Sequence, residues 1–116
     1  MHNKIDIGQR CLKFSFAIIQ AMRTLPQDSV SRILCRETIR SATSIGANVI
    51  EGGGGSTKKE FINFLNIARK SALETNYWLK LMILSYPDFK NKIEVLLDEN
   101  DQLDKILTTI IKNSKQ

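Results

Sequence analysis

Residues 48–61 read NVIEGGGGSTKKEF and contain the longest glycine run of the chain. A phosphate-binding P-loop needs the order G-x-x-x-x-G-K-[ST] after a β-strand. Here the order is Gly-Ser-Thr-Lys and a helical pattern precedes it, so both the motif and its context are missing. A Rossmann turn is excluded because no strand–helix–strand pattern surrounds the run. The run therefore predicts a mobile connection between two helices, since glycine at a helix C-terminus readily adopts positive φ.

Proline and glycine divide the rest of the chain into four segments with helical periodicity. Pro26 and Pro87 are the only prolines, and five of the six glycines lie at 46 and 52–55. The predicted helices span about residues 5–25, 29–51, 57–85 and 89–112. No segment alternates polar and apolar residues, so no strand is expected. The 116 residues therefore predict one all-α domain, 1–116, folded as an antiparallel up-down-up-down four-helix bundle.

Each predicted helix carries an inward-facing line of residues spaced three or four apart, and on the first, third and fourth helices these spacings alternate as in a heptad seam. Asn100 is a polar residue inside the fourth seam, where a buried Asn costs stability and specifies register. Asp28 or Ser29 is predicted to cap the second helix, and Thr57 and Glu60 form a capping box before the third. The predicted seams are Ile7, Cys11, Phe14, Ile18, Ala21 and Leu25; Val30, Leu34, Thr38, Ser41, Ile45 and Asn48 or Val49; Phe61, Leu65, Ala68, Ala72, Thr75, Leu79 and Met82; and Ile93, Leu96, Asn100, Leu103, Leu107 and Ile110.

Composition limits the classes of partner and compartment. The formal net charge of +5 and the pI of about 9.4 favour an acidic partner, nucleic acid first, although many small basic proteins bind none. The apolar runs are too short to span a bilayer and the first residues lack the apolar core of a signal peptide, so a cytoplasmic protein without membrane association is expected. Cys11 and Cys35 are isolated and are predicted to be thiols rather than a disulfide.

Residues that could carry out catalysis are few. The single histidine, His2, lies near the end of the chain and is expected to be inert. No His, Cys, Asp or Glu residues have the sequence spacing of a metal site. Glu51 and Glu74 could form an acid–base pair, but capping or ion pairing explains each more simply. We therefore expect no enzyme, no metal and no cofactor.

One candidate binding surface is basic. Arg32, Arg36 and Arg40 recur every four residues, so they form one stripe on the second helix away from its seam. Guanidinium groups bind phosphate well, and the N-terminus of the third helix offers free N–H groups to an anion. A solvated face, balanced by Glu37, is an equally open interpretation. The predicted nucleic-acid-binding residues are Arg32, Arg36, Arg40, Lys58, Lys59 and Lys70.

A second candidate surface is apolar. Apolar residues on a helix beyond its core seam usually indicate a partner. Such residues occur on the first and on the third predicted helix of the same chain, so self-association is the simplest explanation. The predicted interface residues are Leu12, Phe16 and Ile19 on the first helix and Ile67, Trp78 and Leu81 on the third.

The segments LPQDS, 25–29, and ETIRSATSIGANVIEGGGGSTKKEFINFLNIARKSALETNYWL, 37–79, carry a specific resemblance. They resemble the bacterial four-helix-bundle proteins encoded in intervening sequences of 23S ribosomal RNA genes. The family often has Arg where this chain has Gly55, which removes one candidate phosphate ligand, and often Gly where this chain has Lys70. The matching positions are Arg40-Ser41-Ala42, Ser44-Ile45, Ala47-Asn48, Glu51-Gly52, Glu60-Phe61, Phe64-Leu65, Ile67-Ala68, Ser71 and Glu74.

The resemblance implies a four-helix bundle that assembles into a ring-like homo-oligomer, with a pentamer favoured, but no settled biochemical function. A related branch, the accessory variability determinants of diversity-generating retroelements, partners a reverse transcriptase and binds nucleic acid through basic surfaces. We therefore expect a non-enzymatic assembly protein that binds RNA or DNA without strong sequence specificity. The alternatives are a structural or protein-interaction bundle with no nucleic-acid role and, last, an enzyme assembled at subunit interfaces.

Overall fold

Four long helices make up most of the chain in the computed structural model, which describes residues 6–54 and 57–116. Their bounds are α1 Ile7–Met22, α2 Ser29–Gly52, α3 Lys58–Ser85 and α4 Lys90–Ser114, with a short 3-10 turn, Pro87–Phe89, before α4. These two described ranges contain no β-strand, which confirms the predicted all-helical class. The predicted first residue of helix one, Ile5, and the predicted inert His2 lie outside them, as does Gly55.

The first helix ends three residues before its predicted end. The N–H groups of Thr24 and Leu25 donate to the carbonyls of Ala21 and Met22 at 3.0 and 3.3 Å, so the chain tightens into a turn ahead of Pro26. The turn brings the Leu25 side chain back into the core, where it is 4% exposed. The prediction that Leu25 is buried is therefore confirmed although the helix stops earlier.

Side chains cap α1, α2 and α3, as N-cap chemistry requires. The Asp6 carboxylate accepts from Gly8 N at 2.9 Å, and Asp28, rather than Ser29, accepts from Ser31 N at 2.8 Å. The predicted capping box before α3 is confirmed: Thr57 Oγ1 accepts from Glu60 N and the Glu60 carboxylate accepts from Thr57 N. The Thr57 N–H also keeps the pKa of the Glu60 carboxyl below its ordinary value.

Glycine ends α2 differently from the prediction. Gly53 has φ of −83°, so this helix end does not use the positive φ that was expected. Gly52 is favoured for another reason, because a Cβ there would lie 3.0 Å from Phe64 Cβ on α3. Close approach between helices, and not the turn conformation, favours glycine at this position.

The predicted seams are confirmed over most of their length and fail at their ends. Val30 is 53% exposed and Ser31 is buried in its place, because the Asp28 cap sets where the helix begins and thus which face turns inward. At the end of α4, Ile110 is half-buried and Ile111 is buried. A straight helix has 3.6 residues per turn, so a 3.5-residue seam drifts off the buried face. The same drift leaves Ile7 and Ala21 half-buried and places Gly8 and Met22 inside.

One core packs between all four helices. α2 contacts both α1 and α3, and α4 contacts both α3 and α1. Helices α1 and α2 approach closely at Gly46, where a Cβ would lie 3.0 Å from Cys11 Cβ. Asn100 is buried as predicted, and its side-chain amide donates to the Ala72 carbonyl at 2.9 Å. None of the described helices combines the length and the apolar character needed to cross a membrane.

Candidate nucleic-acid interface

The arginine stripe on α2 has two different parts. Arg32 and Arg36 are exposed, and neither forms an ion pair with another residue of the described ranges. Arg40 pairs with Glu37 at 2.9 Å and with Glu74 on α3. A phosphate would have to compete with two carboxylates at Arg40, so only the first two arginines are available as free cationic ligands.

Glu74 is the centre of a small polar cluster between α2 and α3. Its carboxylate accepts from Trp78 Nε1 at 3.0 Å and from Arg40. The hydrogen bond from Trp78 is the larger cause, and Arg40 the smaller, of a Glu74 pKa below its ordinary value. Glu51 lies eleven residues beyond Arg40, about 16 Å along α2, so the structure does not bring Glu51 and Glu74 together as an acid–base pair.

Hydroxyl groups continue this polar contact deeper between the same helices. Thr75 Oγ1 lies 2.9 Å from Ser41 Oγ, and Ser44 Oγ lies 2.9 Å from Ser71 Oγ. Asn48 adds a hydrogen bond to the Ser44 hydroxyl. The polar residues of the family-like segments are therefore used in packing α2 against α3.

The predicted lysines do not lie beside the free arginines. Lys58 and Lys59 are exposed at the start of α3, close to the end of α2. Sixteen residues separate Arg36 from Gly52, which is about 24 Å along α2. Lys70 is also exposed, and it lies between these two positions along the bundle, because its neighbour Ser71 contacts Ser44 of α2. The basic residues form a broken line along the bundle and not one patch.

A third arginine, Arg23, joins Arg32 and Arg36 around a cavity between α1 and α2. The cavity measures about 360 Å³. Sequence reasoning missed Arg23 because it follows α1 and shares no periodicity with α2. The short connection through Pro26 could have indicated that Arg23 lies near Arg32, since it brings the end of α1 to the start of α2. The lining residues are Ile19, Met22, Arg23, Gln27, Ser31, Arg32, Cys35, Arg36 and Ile39.

Both cysteines are free thiols, as predicted. Cys35 is half-buried at the cavity wall, 3.7 Å from Ser31 Oγ, and burial raises the pKa of its thiol. Cys11 is buried in the core, and desolvation raises its pKa to about 11. Cys35 is therefore the more accessible of the two thiols.

The predicted apolar interface residues divide into exposed and partly buried groups. Leu12 and Phe16 on α1 are 66% and 61% exposed, and Ile67 on α3 is also exposed. Ile19 is half-buried at the cavity described above. Trp78 and Leu81 are half-buried against the core of their own chain. Because α3 packs against both α2 and α4, its buried arc is wider than a single seam. Besides Ile67, the large apolar side chains that α3 exposes are Leu73, Tyr77 and Leu84.

A larger groove, about 660 Å³, lies between α1 and α2. Gly8, Gly46 and Ala47 are among its lining residues, with exposed Leu12 and Ile50. Asp6 and Glu51 also line it. Sequence reasoning missed Ile50, which lies on the outer side of α2 beside Val49 of the core.

Among the residues at 6–54 and 57–116, no three His, Cys, Asp or Glu side chains are grouped so that they could hold a metal ion.

Comparison with known proteins supports the resemblance found in the sequence. The family model of the 23S rRNA-intervening sequence protein matches residues 3–109. A crystal structure of an S23 ribosomal protein family member of unknown function from Bacteroides thetaiotaomicron VPI-5482 is similar, with a TM-score of 0.84 and 33% sequence identity. The similarity covers 92% of this chain and 99% of that one. No curated protein shows significant similarity. The chain belongs to the 23S rRNA-intervening sequence protein family.

Proposed function

We propose that this chain is a non-enzymatic bundle that self-associates and binds nucleic acid through its basic surface without strong sequence specificity. The observation that carries the proposal is the group of three arginines, Arg23, Arg32 and Arg36, at one end of the α1–α2 face. None of them forms an ion pair with a carboxylate of the described residues. Free guanidinium groups are good phosphate ligands, and phosphate contacts do not depend on base sequence.

The helices are proposed to run in antiparallel up-down-up-down order. Paired contacts between α2 and α3 support this order, because the α3 partner number falls as the α2 number rises. Ser41 contacts Thr75, whereas Ser44 contacts Ser71. The short connections between helices favour the same topology.

Self-association is proposed to form a ring-like homo-oligomer, with a pentamer favoured. The exposed Leu12, Phe16 and Ile50 support a covered α1–α2 face, since such apolar side chains gain by leaving water. In an oligomer the arginine group is repeated, so weak phosphate contacts act together on one polyanion. A reverse transcriptase is the further protein partner that we propose, as an extension of the family relationship.

Assembly is tested by Phe16→Asp, which places a charge in the proposed contact. Val95→Asp on α4 is the matched control, because Val95 is 70% exposed and lies away from the α1–α2 face. Light scattering is expected to show an oligomer for the wild type and the control, and a smaller species for Phe16→Asp. A monomeric wild type at micromolar concentration contradicts self-association.

Nucleic-acid binding is tested by charge reversal of Arg32 and Arg36 together. We expect fluorescence anisotropy with a labelled oligonucleotide to show loss of binding by the double Glu variant, with circular dichroism unchanged. Wild-type binding is expected to weaken steeply with salt, because each phosphate contact releases counterions. If the variant binds as well as the wild type, the arginines are a solvated face.

The second candidate function is a structural or protein-interaction bundle with no nucleic-acid role. The larger α1–α2 groove favours it, because exposed Leu12 and Ile50 line the groove and the carboxylates of Asp6 and Glu51 there would repel phosphate. The pairing of Arg40 with two carboxylates also favours this alternative, because it leaves one arginine fewer to bind phosphate. Absence of RNA and DNA binding at low salt would favour this alternative.

A further inference from the structure

We propose that the cavity between α1 and α2 accepts one unstacked base of a single-stranded nucleic acid while the surrounding arginines hold its phosphates. This inference rests on the proposed nucleic-acid binding and narrows it to single strands. The proposed site is concave, with an apolar wall and a cationic mouth, whereas the arginine stripe alone would be a flat basic surface.

The cavity has a suitable division between apolar wall and cationic mouth. Ile19, Met22 and Ile39 provide apolar side chains, whereas Arg23, Arg32 and Arg36 are exposed. An unstacked base has an apolar face and polar edges, and a planar guanidinium group can stack on such a face. The volume of about 360 Å³ lies within the ~300–1,000 Å³ typical of small-molecule sites.

The carboxylate at the start of α2, Asp28, already accepts two hydrogen bonds. The Asp28 carboxylate accepts from Ser31 N and from the Tyr86 hydroxyl at 2.8 Å each. The hydrogen bonds from Ser31 and Tyr86, and to a smaller extent the charge of Arg32, lower the pKa of the Asp28 carboxyl. Arg32 forms no ion pair with it in the described residues, which leaves the guanidinium group able to bind phosphate. The site therefore combines free positive charge with a recess, which a line of solvated arginines lacks.

The preference for single strands follows from the concave shape of the site. A base in a duplex must leave its stack and its partner before it can enter a cavity, and that step costs free energy. A base in a single strand pays less, so the cavity favours single strands of RNA or DNA. Phosphate contacts alone would bind a duplex as well, because its charge density is higher.

Cys35 provides a local reporter because its thiol lines the cavity. We expect a saturating single-stranded oligonucleotide to slow alkylation of Cys35 by N-ethylmaleimide about tenfold, as followed by mass spectrometry of the intact protein. A duplex of the same sequence and inorganic polyphosphate are expected to slow it less than twofold. The Cys35→Ser variant, which retains only buried Cys11, gives the background rate.

Filling the cavity without changing its charge tests the same idea. We expect Ile39→Phe to lower affinity for the single strand about tenfold and to leave duplex affinity unchanged. Ile33→Phe is the matched control, because Ile33 lies on the same helix, is 51% exposed and does not line the cavity. Circular dichroism checks both folds, and if Ile39→Phe is unfolded the Cys35 measurement on the wild type decides alone.

The outcomes separate this inference from the function on which it rests. Binding of single strands with Cys35 protection, absent with polyphosphate, supports the inference, and comparison of RNA with DNA shows which strand is preferred. Binding without protection, equal protection by polyphosphate, or no alkylation of the free protein overturns base insertion alone. Failure of every oligonucleotide to bind at low salt overturns the proposed nucleic-acid function as well.

Discussion

The two long interfaces of α2 are built from different chemistry. Against α3, polar side chains find partners across the interface, as in Arg40 with Glu74 and Ser44 with Ser71. Against α1, the helices meet at Gly46 and leave grooves lined by exposed apolar residues and free arginines. The segments that most resemble the family are thus used largely in holding α2 to α3, and the surface that we propose for a partner lies on the other side of α2.

The largest expected effect comes from separating α1 and α2 at their closest approach. Gly46→Leu forces side-chain atoms against Cys11, where even a Cβ would lie at 3.0 Å. Overpacking of this kind costs about 1–3 kcal/mol of unfolding free energy. Ala47→Leu is the matched control, since Ala47 is exposed. Urea denaturation measures both, and equal stabilities would show that the α1–α2 contact adapts easily.

A smaller effect separates the free arginines from the paired one. Arg36→Gln removes a proposed phosphate contact, whereas Arg40→Gln removes an arginine already held by carboxylates. We expect Arg36→Gln to weaken oligonucleotide binding about three- to tenfold and to reduce the salt dependence by about one counterion. Arg40→Gln should leave affinity within about twofold. If Arg40→Gln lost more affinity for the oligonucleotide than Arg36→Gln, the binding site would lie on the α2–α3 side instead.

The hydroxyl contacts between α2 and α3 carry the next prediction. Thr75→Val keeps the side-chain shape and removes the hydroxyl beside Ser41 and the Ser71 carbonyl. Loss of a buried hydrogen bond costs about 1 kcal/mol. Thr109→Val on exposed α4 surface is the control, because its hydroxyl also donates to a backbone carbonyl of its own helix. Thermal denaturation that shows no difference between them would mean that the polar contact adds nothing to stability.

Helix number and most buried positions could be predicted from sequence because they follow from spacing within one segment. Val30 was misplaced because the cap at Asp28 decides the helix face, and Ile110 because the seam drifts over many turns. The Arg40–Glu74 pair could not be predicted, since it requires the register between two helices. Arg23 was missed for a related reason: only the folded turn at Pro26 brings it beside Arg32. The candidate site thus depends on contacts between segments, and the spacing of residues within one segment does not predict such contacts.

The smallest expected effect is a pH-dependent change at Glu74. Hydrogen bonding from Trp78, followed by pairing with Arg40, lowers the pKa of Glu74 in the folded protein. A depressed pKa means that this carboxylate stabilises the fold above its unfolded pKa and that the contribution is lost as pH falls through the folded value. Because the pair is partly exposed, the stabilisation is expected to be below about 1 kcal/mol.

Trp78 is the single tryptophan of the chain, so its fluorescence reports directly on this carboxylate. We expect the emission to titrate with a midpoint below the ordinary glutamate pKa of about 4.3. In Arg40→Gln the midpoint should rise but remain depressed, because the hydrogen bond from Trp78 is the larger cause. Glu74→Gln should abolish the transition, which identifies the titrating group. A midpoint above the ordinary value, or one that Arg40→Gln leaves unchanged, would mean that the α2–α3 contact is looser in solution than its hydrogen bonds indicate.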